Sequence, residues 1–314
     1  VLSFDCFGNI GSFEQLIRYI KPLFLLPSGN HKTDAKYNVM KTIVVAVDFS
    51  TSSNHSIDYA LAFAKATGSS LTLVHIYQLP LNLGEVLPSP EVITELMDDA
   101  EENMRVLKDS VLQKAMGKIK IYTDLLEGNV IIQLEKFCNN IQPYAIVMGA
   151  HSASTLNRVL FGSNVLQALR KMSWPLIIVP PDAVFRKISK ICLACDLIDV
   201  TENIHAETIK NLVAALGAEL HILYVNTYNR KKISSEEREQ SELLKEMFAG
   251  IKCHFHFLSN ELVEEEISEW IEKNKPDVLM VVPKKHDLLY RITYKSQSKQ
   301  MVLHAHLPVI AIHE

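Results

Sequence analysis

Neither sign of charge dominates this chain. Its 32 lysines and arginines stand against 36 aspartates and glutamates, a formal net charge of -4. The basic residues are scattered, so the electrostatic footprint of a nucleic-acid binder is missing. No apolar stretch reaches the roughly 20 residues that cross a bilayer; the nearest, "IKPLFLLP", is short and holds two prolines. Five cysteines in 314 residues make no disulfide framework. Four of them, Cys138, Cys192, Cys195 and Cys253, fall in apolar runs, which reads as buried reduced thiols in a cytoplasmic chain. The G-x-x-x-x-G-K-[ST] loop of the P-loop hydrolases is absent, as is a G-x-S-x-G nucleophile elbow. After Gly250 there is no glycine at all.

What is present is an alternation. "TIVVAVD" is a continuous β-branched run, the mark of a strand covered on both faces. "STSSNHSIDYALAFAKATG" follows, with hydroxyls suited to an N-cap, apolar residues at 57, 60, 61 and 64, and Gly68 as a stop. Then come the strand "SLTLVHIY", a helix from about Glu91 to Met116, the strand "KIKIYTDLLEG", the helix "NVIIQLEKFCNNI" and the strands "YAIVMG" and "PLIIVP". Strands alternating with helices predict a parallel sheet.

The pattern then repeats. "SKICLACD" mirrors "KTIVVAVD", with Asp196 in the place of Asp48, and "LVAALGAELHILYV" mirrors "AFAKATGSSLTLVHI", with Gly217 in the place of Gly68. "PDVLMVVP" mirrors "PYAIVMGA", and "LPVIAI" mirrors "WPLIIV". A unit of about 140 residues used twice is a duplicated domain rather than a solenoid. The expected organisation is a leader over 1–39, a first domain over 40–181 and a second over 187–314, joined at "PPDAVFRK". The leader has no regular period, and Met40 reads as the native start with the residues before it extra or poorly ordered. The fold class predicted for each domain is α/β, flavodoxin-like or Rossmann-like, with a five-stranded parallel sheet in the order 3-2-1-4-5 and helices on both faces.

That strand order makes the first and fourth strands neighbours, and ligands of such sheets sit beyond the strands' carboxyl ends where the connections part. Asp48 ends the first strand and Gly149 the fourth. A glycine there lets a ligand approach the backbone. Gly162 and Ser163 open the helix "NVLQALRKM", whose free amides and positive dipole end suit phosphate. His151 and Arg158 lie on the loop between, which has room to wrap a triphosphate, and Asp48 is an acceptor for ribose hydroxyls. The same glycines also serve a plain turn and cap.

These residues carry a resemblance. The chain resembles a tandem universal stress protein, whose loop reads G-x-x-G, nine residues, then G-S or G-T. Here Gly149 is followed by Ser152 in place of the second glycine, then nine residues, then Gly162-Ser163. "IVVAVDFS", "LTLVHI" and "WPLIIVP" resemble the family's first, second and last strands. The resemblance spans residues 40–314 and is stronger in the first copy. It implies that Asp48 and the Gly149 backbone hold the ribose, that the Ile76 backbone meets adenine, and that Ala46 and Met148 line the base pocket. It further implies that Gly162, Ser163 and Asn164 hold phosphates, with ATP or another adenine nucleotide bound and Mg²⁺ carried by it. Ser152 is a departure, costing about 1 kcal/mol if its backbone must be left-handed. The resemblance also implies that the two domains pair through their last strands, "PLIIVP" and "PVIAIH", and leaves room for a homodimer.

The second copy departs further. Its loop reads "VVPKKHDLLYRITYKSQSKQ", and Pro283, with no N–H to give, is expected where the close backbone approach belongs. Only Asp196 and Ser296 remain near matching positions, with "KKH" and Arg291 as cations. Cys192-x-x-Cys195 is within a strand, which places the thiols on opposite faces and argues against redox chemistry. His254 and His256, two apart on a strand, share a face able to grip a metal, but no other ligand set is evident, and a solvated edge is the plain reading. His304 and His306 read as helix-end residues without a ligand role. The expected function is a stress-response regulator that binds adenine nucleotide in its first domain, with the second as a degenerate partner. The rivals are an interaction module that binds no nucleotide and a slow ATPase with His151 as its base.

Overall fold

The computed structural model describes residues 41–78, 89–153, 158–160, 162–226, 234–259, 263–283 and 307–313. The chain divides into residues 1–39, which lie outside the described residues, and one compact unit running from Met40 to Glu314. The expectations about the leader, His304, His306, Arg291 and Ser296 therefore fall outside the description.

The first half of the compact unit holds β1 (Thr42–Val47), α1 (Thr51–Thr67), β2 (Ser70–Tyr77), α2 (Pro90–Ala115), β3 (Ile121–Glu127), α3 (Val130–Ile141) and β4 (Ala145–Gly149). It continues with β5 (His151–Ala153), β6 (Arg158–Leu160), α4 (Ser163–Lys171) and β7 (Leu176–Val179). The second half holds β8 (Lys190–Ala194), α5 (Val200–Asn203), α6 (Ala206–Leu216), β9 (Glu219–Asn226), α7 (Ser235–Met247), β10 (Cys253–Ser259), α8 (Val263–Asn274), β11 (Val278–Val281) and β12 (Val309–Ala311).

Local chemistry sets these boundaries. The Ser50 hydroxyl accepts from the Ser53 amide at 3.2 Å and starts α1, and Gly68, at φ 65°, ends it in the left-handed conformation that glycine adopts without a Cβ penalty. Asn129 starts α3 in the same manner, accepting from the amides of Ile131 and Ile132. A full capping box opens α7, where Ser234 and Glu237 each bond the other's backbone amide.

Ten strands form one sheet in the order β10-β9-β8-β11-β12-β7-β4-β1-β2-β3. In chain order, setting the β5–β6 hairpin aside, each half is a parallel sheet of order 3-2-1-4-5, as the alternation predicts. The halves join through their last strands. β12 runs antiparallel to β7, pairing Val309 with Ile178, Ile310 with Ile177 and Ala311 with Leu176. The pairing gives each last strand a partner on its open side and removes two edges that would template aggregation.

Helices cover both faces. On one, α1, α2, α6 and α7 bury Ile57, Phe63, Met104, Ile209, Leu212 and Phe248 against the sheet; on the other, α3, α4 and α8 bury Ile131, Leu134, Leu169, Ile267 and Trp270. Cys195 belongs to the first core and Cys192 to the second, so the two thiols do face opposite ways. Burial raises the Cys192 thiol far above its ordinary range and pushes Cys138 up to about 12, which leaves neither with thiolate character at neutral pH. The segment between the halves docks on α1. Phe185 meets Tyr59 edge-on at 5.2 Å, and the His55 ring donates to the Ala183 carbonyl at 2.6 Å. From the other end of the chain, His313 sets its ring nitrogens against the carbonyls of Leu169 and Trp174, at 3.0 and 3.2 Å. Among the described residues no helix is long and apolar enough to cross a membrane.

Candidate functional site

β1 and β4 are hydrogen-bonded neighbours, with Val45 opposite Val147. Their carboxyl ends deliver Asp48 and Gly149 to the rim of one cavity of about 290 Å³. Ala46, Ile76 and Met148 line its apolar side together with Val74 and Val130. Gly162, Ser163 and Asn164, at the start of α4, also line it. Eight of the eleven residues singled out in the sequence thus meet around one space, at the switch point of a doubly wound sheet.

The other three occupy different structure from that expected. Residues 151–160 were read as a loop, but β5 and β6 form an antiparallel hairpin with His151 opposite Leu160, Ser152 opposite Val159 and Ala153 opposite Arg158. Ser152 is in an extended strand, so the cost of a left-handed backbone does not arise there. His151 and Arg158 lie toward opposite ends of the ladder.

Asp48 is exposed and held from behind. Its Oδ1 accepts from the Ser50 amide at 3.0 Å and from the Ser50 hydroxyl at 2.5 Å, while its own amide donates to Ser53 Oγ at 3.2 Å. Ser50 Oγ lies 3.0 Å from Ser52 Oγ. Having given its proton to Asp48, the Ser50 hydroxyl accepts that of Ser52. Among the described residues Asp48 Oδ2 has no hydrogen-bond partner, which leaves one carboxylate oxygen for a ligand's hydroxyls. The acid is thereby locked to the N-terminus of α1. Ser52 and Ser53 also line the cavity, and sequence reasoning missed them because the hydroxyl run "STSSNHS" was assigned only to capping. Phe49 turns the chain out of β1 with φ 59°, a rare conformation for an aromatic residue, and its ring packs 4.4 Å from that of His75. His75 in turn donates from Nδ1 to the Val47 carbonyl at 2.7 Å.

Gly149 is required by a contact that the sequence did not reveal. A Cβ built on it would stand 2.6 Å from the Ser52 carbonyl oxygen and 2.9 Å from the Ser52 carbonyl carbon. The end of β4 is pressed against the first turn of α1, and only glycine fits between them. Gly162 is different. It caps α4 with φ -59°, which any residue adopts, and supplies no side-chain cap. The first turn of α4 contains no acid, and its last turn carries Arg170 and Lys171. Its amino end therefore keeps its partial positive charge and uncapped N–H donors.

The second half lacks this arrangement, for a reason one residue removed from that expected. The register places Val278 beside Ile191 as Ala145 lies beside Ile43. Val282, not Pro283, then stands in the place of Gly149. Its side chain is 6% exposed and belongs to the core. In this half the short α5 and the separate α6 stand where the first half has the continuous α1. Pro283 stands in the place of Ala150, whose amide donates to the Val179 carbonyl at 2.8 Å, a bond proline cannot make.

Comparison with known proteins agrees with this geometry. Residues 40–180 match the family model described as "Universal stress protein family". A universal stress protein of Methanocaldococcus jannaschii is 27% identical over 145 residues, covering 45% of this chain and 83% of that protein. Among solved structures, a universal stress protein from Archaeoglobus fulgidus is 20% identical with a TM-score of 0.66, covering 87% of this chain and 98% of that one. A functionally unknown protein of Pseudomonas aeruginosa PAO1 is 14% identical with a TM-score of 0.54, covering 88% of this chain and 93% of its own. These full-length likenesses show the fold of both halves. Residues 40–180 are thus similar in sequence to the universal stress protein family, and the two halves together share the fold of these structures.

Proposed function

We propose that the cleft of the first half binds an adenine nucleotide, ATP or a close relative, and that the second half is a docked partner that does not bind one in the same manner. The supporting observation is the convergence on one cavity of the three chemistries that a nucleotide's base, ribose and phosphates require. Apolar Ala46, Ile76 and Met148 offer a slot for the base, with the Ile76 backbone toward adenine. Asp48, with Oδ2 open, and the Gly149 backbone suit the ribose. Gly162, Ser163 and Asn164 offer N–H and hydroxyl donors at a helix start for phosphates. His151, Ser152 and Arg158 come from the adjoining hairpin as further phosphate-side candidates. The protein supplies neutral donors and one acid, so Mg²⁺ would enter with the phosphates rather than on a protein ligand set. The role that follows is a regulator or stress-response protein acting in the cytoplasm, whose hairpin, flanked by Gly149 and Gly162, reports occupancy to a partner.

The proposal is tested by titrating the full chain with a fluorescent ATP analogue and Mg²⁺, then displacing it with ATP, ADP, GTP and inorganic triphosphate. Adenine nucleotides should displace the probe and triphosphate alone should not. No saturable binding at millimolar nucleotide, or equal displacement by triphosphate, contradicts it.

A further inference from the structure

A group of ionisable rings lies well away from the cleft, at the amino ends of β9 and β10 on the edge of the second half. Glu219 and His221 are two apart on β9, His254 and His256 two apart on β10, and the register sets His254 beside His221. All four project from one sheet face. It is the face covered by α8, whose Trp270 packs 5.7 Å from the His221 ring and 5.0 Å from the His256 ring. Trp270 covers His256, while the His254 side chain stays exposed as the reading of a solvated edge expected. Strand pairing supplies two more ligand candidates that sequence spacing keeps more than thirty residues away.

His221 Nδ1 lies 3.0 Å from His256 Nε2. With His221 as donor, its proton is fixed on Nδ1 and Nε2 keeps a bare lone pair, the tautomer a metal-binding histidine takes when its other nitrogen is anchored. That Nε2 is buried without a hydrogen-bond partner, and so is Nε2 of His254. Glu219 Oε2 stands 3.4 Å from His254 Nε2 and 4.0 Å from His221 Nε2. All three atoms lie within 4.8 Å of one another. The ring nitrogens of His221 and His254, each without a hydrogen-bond partner, therefore converge on a Glu219 carboxylate oxygen, and with both rings neutral and their protons on Nδ1 two lone pairs face the same space.

The geometry points to a binding site for a zinc-class divalent cation, ligated by Glu219 Oε2, His221 Nε2 and His254 Nε2, with His256 orienting His221 from behind. Tetrahedral zinc with bonds of about 2.0–2.1 Å wants ligand atoms about 3.3 Å apart, so side-chain shifts of under about an ångström close the set. Two imidazoles and one carboxylate suit zinc and leave a fourth position for water. The His254 side chain is 43% exposed, which gives the ion a way in. The nearby lysines are engaged elsewhere: Lys252 donates to the other oxygen of Glu219, and Lys190 donates to the Asn274 carbonyl at 2.8 Å. A bound ion would tie the edge strand β10 to β9.

The test uses the full chain, stripped with a chelator and dialysed against Zn²⁺ alone, with bound metal counted by mass spectrometry and Co²⁺ as a spectroscopic substitute. One Zn²⁺ per chain, a Co²⁺ visible band of four-coordinate intensity and a rise in melting temperature on adding Zn²⁺ are expected. His254→Ala and Glu219→Gln should each abolish the bound equivalent, and His256→Phe should weaken it about 10–100-fold. Circular dichroism establishes that each variant is folded. Glu219→Gln, near-isosteric and at a half-exposed position, guards against loss through unfolding, and the Co²⁺ spectrum of the unaltered chain needs no variant at all. No bound metal, several weak equivalents, a six-coordinate Co²⁺ spectrum, or folded variants that keep the ion overturn the inference.

Discussion

Replacing Gly149 by alanine should destabilise the chain before any nucleotide is added. The added methyl carbon would lie 2.6 Å from the Ser52 carbonyl oxygen and 2.9 Å from its carbon, closer than real Cβ contacts come, and both atoms are backbone. Relief requires moving the first turn of α1 away from β4. That turn is held by the Ser50 cap and by the Asp48–Ser50–Ser52 hydrogen bonds. Overpacking of this kind costs about 1–3 kcal/mol, which in a folded unit of this size lowers Tm by roughly 2–4 °C per kcal/mol. Urea denaturation of the nucleotide-free protein, followed by far-UV circular dichroism, measures it directly as a fall in midpoint at constant slope. The paired control is Gly162→Ser. Its φ of -59° carries no steric demand, and serine is at least as good an N-cap as glycine, so stability should hold within about 0.5 kcal/mol. An unchanged midpoint for Gly149→Ala would refute the claim that strand–helix contact fixes this glycine. It would return the residue to the role assigned from sequence, room for a ligand alone.

Further expectations follow from the same coordinates. Asp48→Asn should weaken adenine-nucleotide affinity about tenfold or more in the displacement titration, because a charged acceptor is lost. Ile310→Ala, at the fully buried seam opposite Ile177, should cost about 2–5 kcal/mol in urea denaturation; a loss under about 1 kcal/mol would mean the halves are not held by that strand pair. His313 is lowered by burial, against the upward pull of its two carbonyl contacts. The unfolded chain takes up its proton near the ordinary value of about 6.5, so the stability from neutral His313 is complete above that pH and lost as pH falls through the lower folded value. The slope of Tm between pH 7.5 and 5.5 should therefore be shallower in His313→Gln, and an identical slope would exclude this residue.

Much of this molecule was legible because its strands are covered on both faces. Runs such as "TIVVAVD" and "YAIVMG" carry their own signature, and Ser50, Gly68 and Gly217 punctuate helices by local chemistry. The repeat then fixed the topology twice, and the strand order predicted that Asp48 and Gly149 would meet. What stayed hidden depends on contacts between distant segments. The approach of Ser52 to Gly149 follows from how closely α1 packs on β4. The ring of Glu219, His221, His254 and His256 exists only once β9 and β10 are in register. That Val282 rather than Pro283 takes the place of Gly149 was already contained in the mirrored runs "PYAIVMGA" and "PDVLMVVP", and strand pairing gives the same register. The hairpin of β5 and β6 was missed because "HSASTLNRVL" shows neither an apolar run nor a turn of obligatory glycine.

The central proposal is that the first half of a duplicated fold binds a nucleotide and that the second, with Val282 in the place of Gly149, does not. Isothermal titration of the full chain with Mg²⁺ and ATP tests it most directly through stoichiometry. One nucleotide per chain, weakened about tenfold or more in Asp48→Asn and unchanged in Asp196→Asn, is the predicted result. Two equivalents per chain, or one that survives Asp48→Asn and disappears with Asp196→Asn, would contradict it.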